Sequence, residues 1–480
     1  MQVNFIRDNK YISLALITMI LQFILLKFFF PFPSFTYDSY HYLENADTNT
    51  YSNIWPVGYS NFLRFISAFT HSDVILIFCQ WLFYHIAALY FFFTIINLTS
   101  CSRWVKYGIF CFLFLNPIFL YLSNFILSDL FFISLSLIWI SQLFRIIYHP
   151  TTKILLWHAA VLLFIITVRY QAIFYPLISL TVFTYCHLSH KKKMIGWLMI
   201  VLFTSGLILL TVHQNGRTLG VNQLSAFGDW QLTNNAMLMY EKIPEKERKS
   251  DSVPKKFAAL HKVVTHYIDT LQLLSVRHDG LNGYYSNDYY SPLHLYGRTL
   301  NKTNYYLSSK QMVALAPLYR EYGLYLIKKY PTDYLHYYVK PNLSYYLLPP
   351  DDILRFYNNG QDTIQPLAKK WFSYKTNKVS TYLKRKDYEP FRISTILVPV
   401  TTMVFLVANF FYFISGAYKM ETKQFHMVLS FMYLYWILNL FFSVLAAPII
   451  FRYQLFNMIL CFSFSILLAG SLLKKDNSTS

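Results

Sequence analysis

The feature that most constrains this chain is its succession of long apolar stretches. Ten segments of helical length can be traced, at about 11–30, 74–97, 105–122, 125–147, 154–168, 171–188, 194–213, 394–415, 425–447 and 451–473. Of 480 residues, 55% are hydrophobic and 14% charged, against the quarter or so charged in soluble domains, so these stretches are membrane spans rather than core helices. The first run is too long for the apolar part of a signal peptide and lacks a small-residue cleavage site, so it reads as an anchored span. The expected fold class is an all-α polytopic membrane protein of about ten transmembrane helices.

The short loops predict an orientation. Arg7 and Lys10 precede the first span, Arg103 and Lys106 lie between the second and third, and Arg145 and Lys153 between the fourth and fifth. The run His190-Lys191-Lys192-Lys193 separates the sixth and seventh, Lys419 and Lys423 the eighth and ninth, and Lys474-Lys475 follow the tenth. If all ten segments cross, every one of these falls on one side, which is then the cytoplasmic side and holds both termini. Three parts follow: residues 1–213 with seven spans, a polar region 214–393 on the opposite, extracytoplasmic face, and residues 394–480 with three spans. A compact chain without evident targeting or retention signals points to a bacterial inner membrane.

The formal charge of +19 raises the question of nucleic acid, but no basic helix, RNA-binding signature or zinc finger is present. The charge belongs to the loops and the polar region, where anionic headgroups or phosphate are the expected partners. The five cysteines, Cys79, Cys101, Cys111, Cys186 and Cys461, all lie in or beside apolar segments and form neither a disulfide framework nor a zinc spacing. Within 214–393 stand a charged patch at 241–256 and repeated tyrosine pairs, among them Tyr284-Tyr285, Tyr337-Tyr338 and Tyr345-Tyr346. Tyrosine pairs with scattered lysines suit either an interfacial fold or a sugar-binding wall. Helical periodicity over 318–329 ends at Pro331. Sequons occur at Asn97, Asn301, Asn342 and Asn477, of which Asn301 and Asn342 fall on the external side.

The stretch 35–59 is the most acidic short piece of a basic protein. Asp38, Glu44 and Asp47 fall within ten residues, and no lysine or arginine follows until Arg64. It reads either as a solvated loop or as the place where a membrane enzyme holds a general base or a metal ion. Ionisable groups at a helix centre in a bilayer cost about 2.5–3.5 kcal/mol, so those near spans ask for a reason. Four remain once the cytoplasmic loops are set aside: Asp38, Asp129 in ILSDLFF, Arg169 in TVRYQAIFYP, and Arg452 in PIIFRYQLF. Singly, the arginines can snorkel and Asp129 can cap a helix. All four map to the same face, and together they suit an anionic lipid-linked substrate: guanidinium for phosphate, carboxylate for a proton or metal.

Four local patterns carry a family resemblance. Tyr37-Asp38-Ser39-Tyr40-His41-Tyr42-Leu43 is similar to a first-loop motif in which an acid precedes a tyrosine-rich turn. Trp55-Pro56-Val57-Gly58-Tyr59 resembles the segment that usually follows it. Asn116-Pro117 with Leu127-Ser128-Asp129, and Val168-Arg169-Tyr170 followed by Pro176, resemble later external turns. In order and sidedness these resemble the GT-C superfamily of membrane glycosyltransferases, of the protein O-mannosyltransferase or aminoarabinose transferase type, over about the first 190 residues. Arg452-Tyr453 is a weaker echo, and 214–393 aligns with nothing. Where many members carry paired acids in the first loop, this chain has Asp38-Ser39.

The resemblance implies an inverting transfer of a sugar from a polyprenyl-phosphate donor to an acceptor glycan, lipid or protein. Asp38 would be the general base. Asp129 would orient the acceptor or share a divalent metal, magnesium or manganese, with Asp38. Arg169 and Arg452 would hold the phosphate, with Arg217, Tyr453 and His41 as further substrate-binding candidates. His41, three residues after Asp38, would share its helical face. The competing expectations are a lipid or polysaccharide transporter or flippase, an O-antigen-type polymerase or ligase, and an assembly protein that docks partners.

Overall fold

The computed structural model describes residues 9–479, apart from 51–53, 100, 187, 250–251, 275–279, 384–390 and 392–393. Among the described residues no strand forms, only two isolated bridges.

The first helix, α1 (Asn9–Phe29), ends at a short extended stretch that pairs with the chain near residue 125: Ser34 donates to the Asn124 carbonyl and accepts from Ile126. At Thr36 the chain turns into α2 (Tyr37–Asp47) through a capping box in which the Thr36 N–H donates to Ser39 Oγ at 2.9 Å. Asp38 sits in the first turn, where it also favours the helix dipole. A short helix α3 (Gly58–Ser67) returns the chain to α4 (Asp73–Ile95), capped by Ser72. The third apolar segment is α5 (Arg103–Phe114) and α6 (Pro117–Ser123), broken where Pro117 cannot donate and Asn116 Oδ1 caps Ile118 instead.

Helix α7 (Ser128–Tyr148) is the axis of the bundle. It is buried along nearly its whole length, with Asp129 at one end and Arg145 at the other. It is followed by α8 (Thr152–Val168), which runs back along α7 and returns the chain at Arg169 to the Asp129 end. A 3-10 turn, Tyr170–Phe174, then descends to Tyr175, whose ring stacks on Trp139 midway along α7 at 3.9 Å. From there α9 (Tyr175–Tyr185) covers the remaining depth.

Among the described residues, eight helical segments are long and apolar enough to cross a membrane, the broken α5–α6 pair counted as one, where the hydropathy pattern predicted about ten. The difference lies in the fifth and sixth segments. With 17 residues α8 is about 25 Å long, and the 11 residues of α9 reach only about 16 Å. Pro176 confines the regular helix of the sixth segment to its second half, and the 3-10 turn supplies the rest.

Helix α10 (His190–Leu219) has 30 residues, about 45 Å, so it outruns a hydrocarbon layer of about 30 Å and carries the chain into the polar region. Gly220 stops it with φ +80°, the left-handed conformation glycine adopts freely. Beyond it, α11 (Ala226–Tyr240), α12 (Ala258–Leu273), α13 (Pro292–Asn301) and α14 (Ser309–Lys329) surround a second core that includes Trp230, Met237, Leu260, Val264, Tyr285, Tyr319 and Tyr322. Each side chain fully buried there contributes about 1.5–3 kcal/mol. The tyrosine pairs divide between core and surface: Tyr338 is buried beside exposed Tyr337, and Tyr285 is buried beside half-buried Tyr284.

Next, α15 (Lys340–Leu347) leads to a strap, 354–383, that packs not on the second core but on the membrane bundle, through Leu354, Tyr357, Ile364, Trp371 and Val379. The last helices are α16 (Leu397–Ile414), α17 (Lys423–Ala446) and α18 (Leu455–Thr479), the last preceded by a 3-10 turn at Phe451–Gln454. Helix α7 packs against α4, α8, α9, α17 and α18, so helices from both halves of the chain meet along it.

Candidate functional site

The α7 axis fixes the site. Asp129, in its first turn, is 2% exposed. Because α8 ends beside it, Arg169 Nη1 donates to Asp129 Oδ1 at 3.0 Å. The 3-10 turn before α18 brings Arg452 Nη1 to 3.7 Å from Asp129 Oδ2, and α2 brings Asp38 to the other side of the same guanidinium. Arg452 donates to Asp38 Oδ2 from both Nη1 and Nη2, each at 3.4 Å. Asp38, Asp129, Arg169 and Arg452 are thus brought together into one cluster.

Tyr453 joins them as an aromatic wedge. Its ring centroid lies 5.6 Å from the Arg169 guanidinium and 5.5 Å from that of Arg452, within range of a cation–π attraction to each. A narrow crevice of about 10 Å³, room for about one water, opens here, lined by Asp129, Arg169, Gln171, Arg452, Tyr453 and apolar neighbours. The packing beneath is supported by Tyr42, whose hydroxyl hydrogen-bonds Ser128 Oγ at 2.9 Å.

One member has no counterpart in the reading of the sequence. Asp352, 4% exposed, places Oδ2 3.8 Å from Arg452 Nε, while its Oδ1 accepts from the Leu354 N–H at 3.0 Å. Burial pushes the Asp352 carboxyl above its usual range, and Arg452 only partly offsets this. The signal in the sequence is faint: Pro349-Pro350-Asp351-Asp352, a rigid turn with paired acids, just before the chain returns to the bundle.

Three expected members fall elsewhere or act differently. Arg217 is exposed near the end of α10, with no ion pair to the cluster, because α10 carries it out beyond the bundle. His41 turns from Asp38 toward Glu44 at 3.9 Å and packs its ring on Trp55 at 4.4 Å. Burial lowers its pKa more than Asp38 and Glu44 raise it, so it is neutral at pH 7 and offers no positive charge to a phosphate. The metal site expected between Asp38 and Asp129 is filled by the Arg452 guanidinium, which lies between the two carboxylates. Among the described residues no group of three or more histidines, cysteines or acids could hold a metal ion.

The cluster has unused bonding capacity. Asp129 Oδ2 and Arg452 Nε are both buried without a hydrogen-bond partner, although each faces an opposite charge. A guanidinium has five donors, and the two that Arg452 directs at Asp38 are long. Asp38 is the exposed arm of the cluster, its side chain 36% exposed against 2% for the side chains of Asp129 and Asp352. It is therefore the carboxylate that an incoming anion displaces most easily.

The helices and their burial define an all-α polytopic membrane protein. Compared with family models, curated proteins and solved structures, the chain matches none.

Proposed function

We propose that this protein transfers a sugar from a polyprenyl-phosphate donor to an acceptor at the Asp38 end of the helix bundle, with inversion at the anomeric carbon. The observation that carries this reading is the pair of half-buried guanidiniums, Arg169 and Arg452, flanking Tyr453, with Arg452 Nε lacking a hydrogen-bond partner, next to a partly exposed Asp38. The donor phosphate docks on Arg452 in place of Asp38, with Arg169 adding charge from the far side of Tyr453. This releases the Asp38 carboxylate. The acceptor oxygen attacks the anomeric carbon, its proton passes to Asp38, and the bond to the phosphate oxygen breaks with its electron pair leaving on the lipid phosphate. Asp129 and Asp352 stay in place and hold the guanidiniums in position. The extracytoplasmic side of a bacterial inner membrane is the compartment this topology suits, with the basic loops inside. The gathering of charge at one end of the bundle favours this reading over a transport path, which needs polar groups through both halves of the bilayer.

The test is native mass spectrometry of the purified protein with polyprenyl-phosphate sugars, paired with turnover measurements. Wild type retains donor, and Arg169→Ala loses it. Asp38→Asn retains donor and keeps its melting temperature, but transfers sugar at least about 100-fold more slowly. Wild-type turnover in Asp38→Asn would remove the base assignment, and absence of donor lipid on folded wild type across a panel of sugars would remove the transfer reading.

A second reading has its own observation. Each of the five charged groups has an opposite partner within 4.0 Å, so the cluster suffices as a lock that pins the first loop, α7 and α18 together. Under that reading Asp38→Asn lowers the melting temperature and no donor is retained.

A further inference from the structure

On the other side of α2 lies a second cavity, open to solvent. Its cavity volume is about 150 Å³, below the roughly 300–1,000 Å³ of pockets that enclose a whole small ligand, so it is an open groove along which a chain can lie a unit or so at a time. The strap closes it: Phe35, Tyr37 and Tyr40 form one wall, and Asn358, Asn359, Gln361, Thr363, Ile364 and Gln365 form the other. We propose that this groove binds a neutral carbohydrate chain.

The lining selects the ligand class. In a chain of net charge +19, no acidic or basic side chain lines this groove, so neither an anion nor a cation is matched there. Four carboxamides are gathered instead. Asn359, Gln361 and Gln365 each offer donor and acceptor atoms, as a sugar hydroxyl requires, while Asn358 spends its donors on the wall itself. Asn359 Oδ1 is buried without a hydrogen-bond partner, an acceptor awaiting a donor. Aromatic rings supply the complementary surface for the apolar C–H face of a sugar ring. Tyr37 is 67% exposed, and Tyr40 is stacked on Phe35 with ring planes 8° apart.

The amide wall is held in shape by its surroundings. Asn358, Asn359 and Gly360 run consecutively at positive φ, at 47°, 52° and 75°. Left-handed conformations in non-glycine residues cost on the order of 1 kcal/mol or more each and persist only where neighbours enforce them. Here the Asn358 N–H donates to Ser34 Oγ at 2.9 Å, and its side-chain amide donates to the Gln361 and Thr363 carbonyls. The Gln365 N–H meets the Tyr40 hydroxyl across the groove at 3.4 Å. The wall is therefore preformed, which lowers the ordering cost of binding a flexible ligand.

The groove and the charged cluster share one helical turn, with Tyr37 adjoining Asp38. A saccharide in the groove is the acceptor of the transfer reaction. In that role the inference rests on the proposed function; as a carbohydrate site it stands on the groove alone.

Saturation-transfer NMR of the full chain in detergent, with maltohexaose, chitohexaose and mannohexaose as probes, tests it. Wild type transfers saturation to at least one of the three. Tyr37→Ala and Asn359→Gly, which preserves the positive φ, each weaken binding about fivefold or more, and Tyr37→Trp restores it. Melting curves confirm that each variant is folded. No transfer from folded wild type to any of the three, or undiminished transfer in both weakened variants, overturns the proposal. Saccharide binding without donor-lipid retention leaves the groove assigned and removes the transfer reading; donor retention without saccharide binding does the reverse.

Discussion

At the scale of single residues, the cluster is governed by burial. Asp129 is held between two guanidiniums where solvent does not reach, and removing one partner from such a set leaves a buried charge uncompensated, at about 3–5 kcal/mol. Asp352 differs because burial outweighs Arg452 and raises its pKa. The folded protein then binds this proton more tightly than the unfolded chain does. Its contribution to stability is greatest below the unfolded value, about 4, and is lost as pH rises through the higher folded value. Wild type should therefore lose melting temperature relative to Asp352→Asn as pH is raised from about 4 toward neutrality. Parallel melting curves for the two proteins would show that Asp352 does not titrate in this way. The same scale explains which candidates were legible. Asp38, Asp129, Arg169 and Arg452 stand beside spans, where an ionisable group is costly and therefore conspicuous. Asp352 stands in a polar region where an acid draws no notice. Arg217 has the same chemistry as Arg452, yet only the direction of α10 decides that it is left outside.

At the scale of elements, close packing of short helices positions the charged ends. Gly58, the first residue of α3, touches the end of α8: a Cβ there would lie 2.7 Å from the carbonyl of Thr167, two residues before Arg169. Backbone cannot yield as a side-chain tip can. Gly58→Ala should lower stability by about 1–3 kcal/mol, read as a lower melting temperature. By displacing the end of α8 it should also weaken donor retention. A Gly58→Ala protein with unchanged melting temperature and donor retention would mean that α3 does not brace α8. The family resemblance singled out the Trp-Pro-Val-Gly-Tyr segment, but not its glycine as a contact point. Similarly, the fifth and sixth apolar segments looked equivalent to the others because hydropathy counts residues. It does not register that one of them is spent partly in a 3-10 turn.

At the scale of the whole molecule, the second core and the bundle are joined by apolar packing around Tyr346, Val444 and Ile449 and by polar contacts beside it. Asn342 is fully buried, and its Nδ2 donates to the Val444 and Ala447 carbonyls at 2.8 Å while its Oδ1 accepts from the Ile449 N–H at 2.9 Å. Asn235 reaches the Ala446 carbonyl at 3.2 Å from the second core. These contacts hold the extended link between α17 and the turn that carries Arg452. Asn342→Ala leaves three backbone groups without this partner, at about 1–3 kcal/mol for each that stays unsatisfied. Hydrogen exchange should accelerate at 444–450 in that variant, with the 226–339 helices protected as before. Unchanged exchange at 444–450 would show that the link does not depend on Asn342. Its sequon is also closed to modification by burial, whereas Asn301 is exposed.

The sequence alone determined the helical membrane class, the positions of most spans and the candidate charges, because hydropathy and the cost of a charge near lipid are local properties that each segment carries by itself. Only the tertiary structure decided that Asp38 and Arg452, 414 residues apart, share hydrogen bonds, that Asp352 joins them, and that Arg217 does not. It also decided that a strap from the polar region closes a groove against the first loop. The physical reason is one of range. An ion pair depends on placing two side chains within about 4 Å, and that distance follows from helix directions, kinks and packing accumulated over the entire chain.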